Sequence, residues 1–228
     1  MLLFENDDLL AIDKPAGISM ATSSKAGKSE GEVVSRLLAA FRIEAGGPLF
    51  LVHRLDFGTS GVVLLAKTRD AHRTLSRAFQ ERRAAKTYRA LVWGHPVPAR
   101  GALDAPLVRD PKDGRKMRTS REGKRAVTRY ATLRRFVGVA DLELFPETGR
   151  THQIRVHLAS RGHPIVGDDL YGGARRWHGV RQAGLREALA QVSRPLLHAA
   201  RIVIPAMRID ISSPLPEDYE AVLWLLRK

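Results

Sequence analysis

One stretch of the chain joins a polar, glycine-punctuated motif to an apolar run: His53-Arg54-Leu55-Asp56-Phe57-Gly58-Thr59-Ser60-Gly61-Val62-Val63-Leu64-Leu65-Ala66-Lys67. The part from Gly61 to Lys67 is short and rich in branched apolar residues, which predicts a buried strand. An aspartate in a turn before a strand is most often a turn residue. Asp56 by itself therefore carries little evidence for catalysis, and its role depends on the rest of the chain.

An amphipathic helix is predicted directly after this strand, over residues 69–83. Its apolar stripe consists of Ala71, Leu75, Ala78 and Phe79. Another face carries arginines four residues apart, Arg69, Arg73 and Arg77. Such a charged face is usually only solvated, but beside the Asp56 motif contact with nucleic-acid phosphates is an equal alternative.

The remaining pattern mixes strands and helices without regular alternation. Strands are predicted over residues 2–4, 9–12, 88–93, 127–134 and 139–145, with two more in 201–211 turning at Pro205. Helices are predicted over 32–42, 151–161 and 217–227, whereas residues 172–194 carry no clear pattern. We therefore expect an α+β fold, with a mixed, largely antiparallel sheet core and flanking helices. At 228 residues, a single domain over 1–228 is expected.

The composition points to a polyanionic partner. Lys and Arg total 38 against 24 Asp and Glu, which gives a net charge of +14, and nucleic acid is the commonest partner of such an excess. The apolar runs are far shorter than the ~18 residues of a membrane span, and the N-terminus does not look like a secretory signal. We expect no membrane partner and a cytoplasmic location. The absence of cysteine excludes disulfides, iron–sulfur clusters and thiolate zinc sites.

A second basic region lies in residues 109–125, which are predicted to form a long hairpin tip. Its cations are Arg109, Lys112, Arg115, Lys116, Arg118, Arg121, Lys124 and Arg125, only partly offset by acidic residues. A loop this basic is either a solvated excursion or a nucleic-acid grip. Because the whole chain is basic, we predict a grip, with Arg115, Lys116 and Arg118 among its contacts.

Three further segments accompany the Asp56 motif in order along the chain. They are Asp8-Leu9-Leu10-Ala11-Ile12-Asp13-Lys14-Pro15-Ala16-Gly17; Lys86-Thr87-Tyr88-Arg89-Ala90-Leu91-Val92-Trp93-Gly94; and Thr148-Gly149-Arg150-Thr151-His152-Gln153-Ile154-Arg155-Val156-His157-Leu158, which continues to Gly162-His163-Pro164-Ile165-Val166-Gly167-Asp168. Together with the Asp56 motif, the residues of these segments and their order resemble the RluA family of RNA pseudouridine synthases over about residues 1–220. One such motif is moderate evidence, and the ordered set is strong evidence.

This resemblance implies a fold and a set of site residues. The fold is an antiparallel sheet core with a central catalytic cleft. The catalytic aspartate corresponds to Asp56, a tyrosine that stacks on the target base to Tyr88, and a basic residue that pairs with the aspartate to Arg155. Arg54 corresponds to an arginine that fills the space left by the flipped base. Since the first motif begins by residue 8, no N-terminal RNA-binding domain of the S4 type is expected.

Pseudouridine formation requires these residue types. The reaction breaks the C1′–N1 bond of uridine, rotates the uracil and joins C1′ to C5, so no atoms are gained or lost and we expect no cofactor or metal. An ionised Asp56 can attack C1′, attack C6 or help remove a sugar proton. A cation such as Arg155 favours that ionised form. Extruding the base costs a few kcal/mol, of which stacking on Tyr88 returns ~1–3 kcal/mol.

Two other functions remain open at this point. An RNA-binding module without catalysis explains the charge but not the clustered motifs. A metal-dependent nuclease could use Asp56, His152 and Asp168, although no helical pair of histidines has zinc-motif spacing. We expect the substrate to be a ribosomal or transfer RNA stem-loop, without deciding which, and the enzyme to be a monomer that needs no protein partner.

Overall fold

A computed structural model describes residues 1–20, 29–41 and 47–228. Within this part of the chain, contacts separate two compact units. The first consists of residues 1–86 and 199–214, and the second of residues 87–198 and 215–228. The prediction of a single catalytic domain over 1–228 stays a prediction. Arg42, at the end of the predicted helix 32–42, lies outside the described residues.

The elements follow the predicted order closely. In chain order they are β1 (Leu2–Glu5), β2 (Leu9–Lys14), α1 (Glu30–Phe41), β3 (Phe50–Leu51), β4 (Ser60–Ala66), α2 (Arg69–Gln80), β5 (Ala85–Trp93), β6 (Arg100–Asp104), β7 (Leu107–Arg109), β8 (Met117–Thr119), β9 (Val127–Phe136), β10 (Val139–Pro146), α3 (Gln153–Ser160), α4 (Ala183–Gln191), β11 (Leu197–Ile204), β12 (Ile209–Ser212) and α5 (Glu217–Leu226). No helix in this part of the chain is both long and apolar enough to cross a bilayer.

Strand β4 is the centre of the first unit. Every residue of β4 is buried, as its run of branched side chains predicts. It pairs antiparallel with β2 and β3, and α2 packs on the sheet through Ala71, Leu75 and Ala78. Gly61 opens the strand at a positive φ, and a Cβ there would lie 2.2 Å from the carbonyl oxygen of Ala199. Only glycine fits this close approach of two backbones.

Helix α2 ends three residues before the predicted boundary at residue 83. Thr68 caps its start by accepting a hydrogen bond from the Ala71 amide at 3.1 Å. At the other end, the Glu81 amide closes the last turn on the Arg77 carbonyl, and Arg82 takes a positive φ of 61°. This left-handed residue stops the helix and turns the chain into β5.

The second unit is built on the strand order β5-β10-β9-β6, with antiparallel pairing throughout. Successive residues of β5 face opposite sides. Ala90 and Val92 pack with α3, and Leu91 and Trp93 pack with the C-terminal helices. The sheet of this unit is therefore covered on both faces.

Strands β3 and β6 were not predicted, and two longer regions also differ from the sequence prediction. Residues 109–125 do not form one long hairpin tip, because β7 and β8 pair as a separate two-stranded ribbon seated on buried Leu107, Ala126 and Val156. Residues 172–194, which had no predicted structure, contain a short 3-10 turn and α4. Helix α4 forms because Leu185 and Leu189, four residues apart, bury one face of an otherwise exposed segment.

Candidate active site

Asp56 lies in a tight turn that leads into β4. The Thr59 amide donates to the Asp56 carbonyl oxygen at 3.0 Å, and the Asp56 residue is partly buried. On one side, Leu55 is 6% exposed and its amide lies 3.4 Å from the Met20 sulfur. On the other side, Thr59 is buried. Buried neighbours on both sides fix the backbone of the turn from which the Asp56 side chain projects.

His53, three residues earlier, stabilises the same turn. Its Nε2 accepts the Leu64 amide at 3.1 Å, and its ring stacks on Phe79 with centroids 4.6 Å apart. Desolvation, with a smaller contribution from the charge of Lys86, lowers the pKa of His53 to about 3. The imidazole is therefore neutral at physiological pH, and it acts as a hydrogen-bond acceptor rather than as an acid.

The Lys14-Pro15-Ala16-Gly17 turn supports the Asp56 loop from a distant part of the sequence. The Gly17 amide donates to the Phe57 carbonyl at 2.8 Å. The ammonium of buried Lys14 donates to the carbonyls of Pro15 and Ile18 at 2.8 and 3.2 Å. These contacts give the first motif a physical role that its sequence does not reveal, which is to position the backbone beside Asp56.

The Thr59 side chain is unusual within this turn. The residue is 2% exposed, and its hydroxyl has no hydrogen-bond partner among the described residues. Its neighbour Phe57 is 63% exposed. Buried hydroxyls are normally paired, so Thr59 is a special feature of the loop, and no sequence pattern singles it out.

The second unit contains the other two predicted catalytic residues. Tyr88 lies on β5 opposite Leu144 of β10 and is partly buried. Arg155 lies on α3 and is 8% exposed. The pairing of Arg155 with Asp56, implied by the family resemblance, stays a prediction. In the structure, the Arg155 Nε and Nη2 donate to the two carboxylate oxygens of Asp168, at 2.7 and 2.8 Å.

Asp168 is thus a site residue whose role the sequence reasoning missed. It is completely buried, and its bidentate contact fixes the guanidinium plane of Arg155. The one signal in the sequence was its place at the end of the Gly162–Asp168 segment. Tyr171 lies beside this pair, with its ring centroid 5.0 Å from the Arg155 guanidinium carbon. Its hydroxyl lies 2.9 Å from His152 Nδ1.

The predicted RNA-contacting arginines of the first unit are exposed. Arg54 lies in the Asp56 motif. On α2, Arg73 pairs with Asp70 at 2.6 Å and Arg77 with Glu81 at 2.7 Å, while Arg69 lies over the Phe50 ring. Such exposed ion pairs contribute little free energy, so a phosphate can replace the acidic partner at small cost.

The basic ribbon of β7 and β8 presents Arg115 and Arg118 to solvent, with Lys116 partly exposed. Arg115 binds Asp113 through its Nη2 and Nε at 2.9 and 3.0 Å. This contact lowers the pKa of Asp113 to about 2 and raises the pKa of Arg115. The loop between the two strands therefore contains an ion pair of its own.

No group of three histidine, cysteine or acidic side chains in residues 1–20, 29–41 and 47–228 is arranged to hold a metal ion. The carboxylate of Asp168, which the nuclease hypothesis needs as a ligand, is already bound through both oxygens to Arg155. Instead of a metal centre, the second unit offers an oriented arginine, Arg155, and the first unit offers the carboxylate of Asp56 on a hydrogen-bonded turn.

Known proteins match this chain over most of its length. A model of the RNA pseudouridylate synthase family matches residues 8–160. Ribosomal large subunit pseudouridine synthase D of Pseudomonas aeruginosa is 38% identical over 232 residues, covering 100% of this chain and 72% of that protein. An uncharacterized RNA pseudouridine synthase of Mycobacterium tuberculosis is 39% identical over 234 residues, covering 99% of this chain and 72% of that protein.

Solved structures match as well. Human RNA Pseudouridylate Synthase Domain Containing 4 has a TM-score of 0.77 at 29% identity, over 99% of this chain and 92% of that one. The human Domain Containing 1 protein has a TM-score of 0.71 at 26% identity, over 99% and 94%. Together with the antiparallel pairing, these matches confirm the predicted fold class.

Proposed function

Because the chain belongs to the RNA pseudouridylate synthase family, we propose that it converts specific uridines of ribosomal RNA into pseudouridine, using Asp56 as the nucleophile on a flipped base. Family membership confirms the predicted enzyme class, an isomerase whose substrate is RNA. One observation carries the finer proposal: Asp56, Tyr88 and Arg155 all lie within residues 8–160, which the family model matches.

The Asp56 turn supports a role for its carboxylate in the reaction. A nucleophile must be held at a set position, because misplacement of reacting atoms by about 1 Å can cost on the order of 100-fold in rate. The bond from the Thr59 amide fixes the backbone at Asp56, and the bond from the Gly17 amide fixes it at Phe57, the next residue. Attack at C1′, attack at C6 and removal of a sugar proton all use this ionised carboxylate.

Tyr88 and Arg155 supply the other two requirements. The Tyr88 ring on β5 offers a face on which an extruded uracil can stack, and stacking returns ~1–3 kcal/mol of the cost of extrusion. The Asp168 contact sets the orientation of the Arg155 guanidinium, so its remaining donors are fixed in direction. We propose that they face the Asp56 carboxylate, and that Arg54 occupies the space that the flipped base leaves.

Large-subunit ribosomal RNA is the first substrate to test, since several relatives are named for that activity. Transfer RNA is the second. The exposed cations Arg54, Arg69, Arg73, Arg77, Arg115, Lys116 and Arg118 are the proposed phosphate contacts. A monomeric state and a cytoplasmic location stay predictions.

The deciding experiment is chemical mapping of pseudouridine in total RNA from cells with the gene, without it, and with Asp56→Asn. We expect one or more ribosomal pseudouridines to depend on the gene and to disappear with Asp56→Asn. Asp70→Asn is the matched control, because Asp70 lies in the same unit with its side chain 83% exposed on α2, and it should keep every modification.

Two results would contradict the proposal. If the gene-dependent pseudouridines survive Asp56→Asn, Asp56 is not the nucleophile. If no pseudouridine in ribosomal or transfer RNA depends on the gene while the purified protein still binds RNA, the proposal is wrong. The result would favour an RNA-binding module without catalysis.

A further inference from the structure

Tyr171 contacts two parts of the second unit that have separate proposed roles. Its hydroxyl accepts the amide of Met117, on β8, at 2.9 Å. The same oxygen lies 2.9 Å from Nδ1 of His152, the residue that precedes α3. One side chain therefore joins the basic ribbon to the start of the helix that carries Arg155.

The ring and backbone of Tyr171 contact the buried ion pair directly. The Arg155 guanidinium carbon lies 5.0 Å from the ring centroid, within the range of a cation–π contact. The Tyr171 amide lies 3.3 Å from Oδ1 of Asp168, the oxygen that also accepts from Arg155 Nη2. Tyr171 thus contacts both Arg155 and Asp168, the residue that orients it.

The ribbon has little apolar support of its own. It rests on a small cluster of Leu107, Ala126 and Val156, with Met117 and Tyr171 packed against it. Met117 lies between Lys116 and Arg118, so the backbone atom that Tyr171 holds is flanked by two of the proposed phosphate contacts. The Tyr171 hydroxyl is therefore bonded to the strand that carries Arg118.

We infer that Tyr171 is a positioning residue that couples the RNA-gripping ribbon to Arg155. This coupling keeps the RNA phosphates that the ribbon binds at a fixed position relative to Arg155. The inference rests on the proposed function, since it takes the ribbon as an RNA contact and Arg155 as an active-site residue. Contiguous contacts alone do not prove coupling, so the test must measure it.

Tyr171→Phe keeps the ring over Arg155 and removes only the hydroxyl. We expect affinity for an unmodified large-subunit ribosomal RNA transcript to fall about three- to tenfold, the range that one net hydrogen bond supports. Amide exchange at Met117 should become faster. Tyr130→Phe is the matched control, because the Tyr130 hydroxyl also forms a hydrogen bond with the backbone of this unit, donating to the Pro98 carbonyl at 3.0 Å. It should change affinity by less than about twofold.

A double-mutant cycle separates coupling from loss of stability. The second variant replaces Arg115, Lys116 and Arg118 of the ribbon with alanine. If Tyr171 acts through the ribbon, adding Tyr171→Phe to this variant lowers RNA affinity no further. If Tyr171→Phe has its full effect without the ribbon charges, or has no effect in the intact protein, the inference is wrong.

Single-turnover pseudouridine formation is followed in the same four proteins. Because affinity and amide exchange are measured independently of catalysis, the cycle still decides about Tyr171 if no pseudouridine forms. A target uridine that stays unmodified with Asp56 intact would count against the proposed function alone. Unchanged RNA affinity in all of the ribbon variants would count against the inference and against the ribbon as a phosphate contact, but not against catalysis by Asp56.

Discussion

The Thr59 hydroxyl is buried without a hydrogen-bond partner among the described residues, which costs about 1–3 kcal/mol of folding free energy. Thr59→Val keeps the shape and removes the polar atom, so we expect the free energy of unfolding in urea to rise by about 1 kcal/mol. Thr128→Val is the control: the buried Thr128 hydroxyl bonds Gln153 and His157, and its removal should destabilise the protein.

The same variant separates two explanations of the unpaired hydroxyl. Activity that falls while stability rises would mean that Thr59 finds its partner in the RNA, three residues from Asp56. A Thr59→Val protein less stable than the wild type would show that the hydroxyl is paired in solution and would contradict the prediction.

His53 makes a second prediction, on pH. Its pKa is about 3 in the folded protein and about 6.5 in the unfolded chain. Below pH 6.5 the unfolded state takes up the proton first, so the contribution of neutral His53 is complete above about pH 6.5 and is lost as the pH falls toward about 3. Relative to a non-titrating variant, the wild type should lose about 2 kcal/mol between about pH 7 and pH 5.

His53→Gln is the suitable variant, since its side-chain oxygen can still accept the Leu64 amide. Unfolding free energies of both proteins are measured from about pH 7 down to about pH 5, with His178→Gln at an exposed site as the control. Parallel pH curves for wild type and His53→Gln would mean that His53 is not held neutral.

At the level of elements, the basic ribbon and α2 differ in how their cations are paired. Removing one phosphate-binding cation lowers the slope of log affinity against log salt by about 0.7–0.9. Replacing Arg115, Lys116 and Arg118 with alanine should therefore lower the slope by about 2–3 if all three bind phosphate. Replacing Arg73 and Arg77 should lower affinity less, because both of these arginines first give up an acidic partner, Asp70 and Glu81. Among the three ribbon cations, the structure gives an ion pair for Arg115, with Asp113. A larger effect on α2 than on the ribbon would reverse this assignment.

The elements also mark where sequence reasoning succeeds. Strand β4 was predictable from its short, continuous run of branched apolar residues, and helix α2 from apolar side chains at helical spacing. The end of α2 was not, because it depends on the left-handed conformation of Arg82, a residue type with no preference for it. The separation of β7 and β8 from the main sheet depends on long-range contacts with Val156, and no local pattern records such contacts.

The candidate site divides in the same way. The roles of Asp56, Tyr88 and Arg155 stay predictions, and they were predicted from motifs. The roles of Asp168, Tyr171 and Lys14 were not, because each acts by holding another group and its partner is not marked by any local pattern. Supporting residues become visible only when distances are known. Arg155 with Asp168 is the clearest example, since both lie in the same motif region and yet their pairing was not foreseen.

At the level of the whole molecule, the charge of +14 implies that RNA binding and catalysis depend on different residues. Most affinity of a protein this basic for RNA arises from release of counterions by Lys and Arg, whereas the proposed chemistry depends on the Asp56 carboxylate. We therefore expect Asp56→Asn to abolish pseudouridine formation while its RNA affinity stays within about threefold of the wild type, with the same salt slope. The measurement is filter binding to an unmodified ribosomal transcript from about 50 to 200 mM salt. An affinity lowered about tenfold or more would mean that the Asp56 carboxylate also binds the RNA before the reaction begins. A changed salt slope would mean that the substitution moves the phosphate contacts. Either result would show that recognition and reaction are not carried by separate residues.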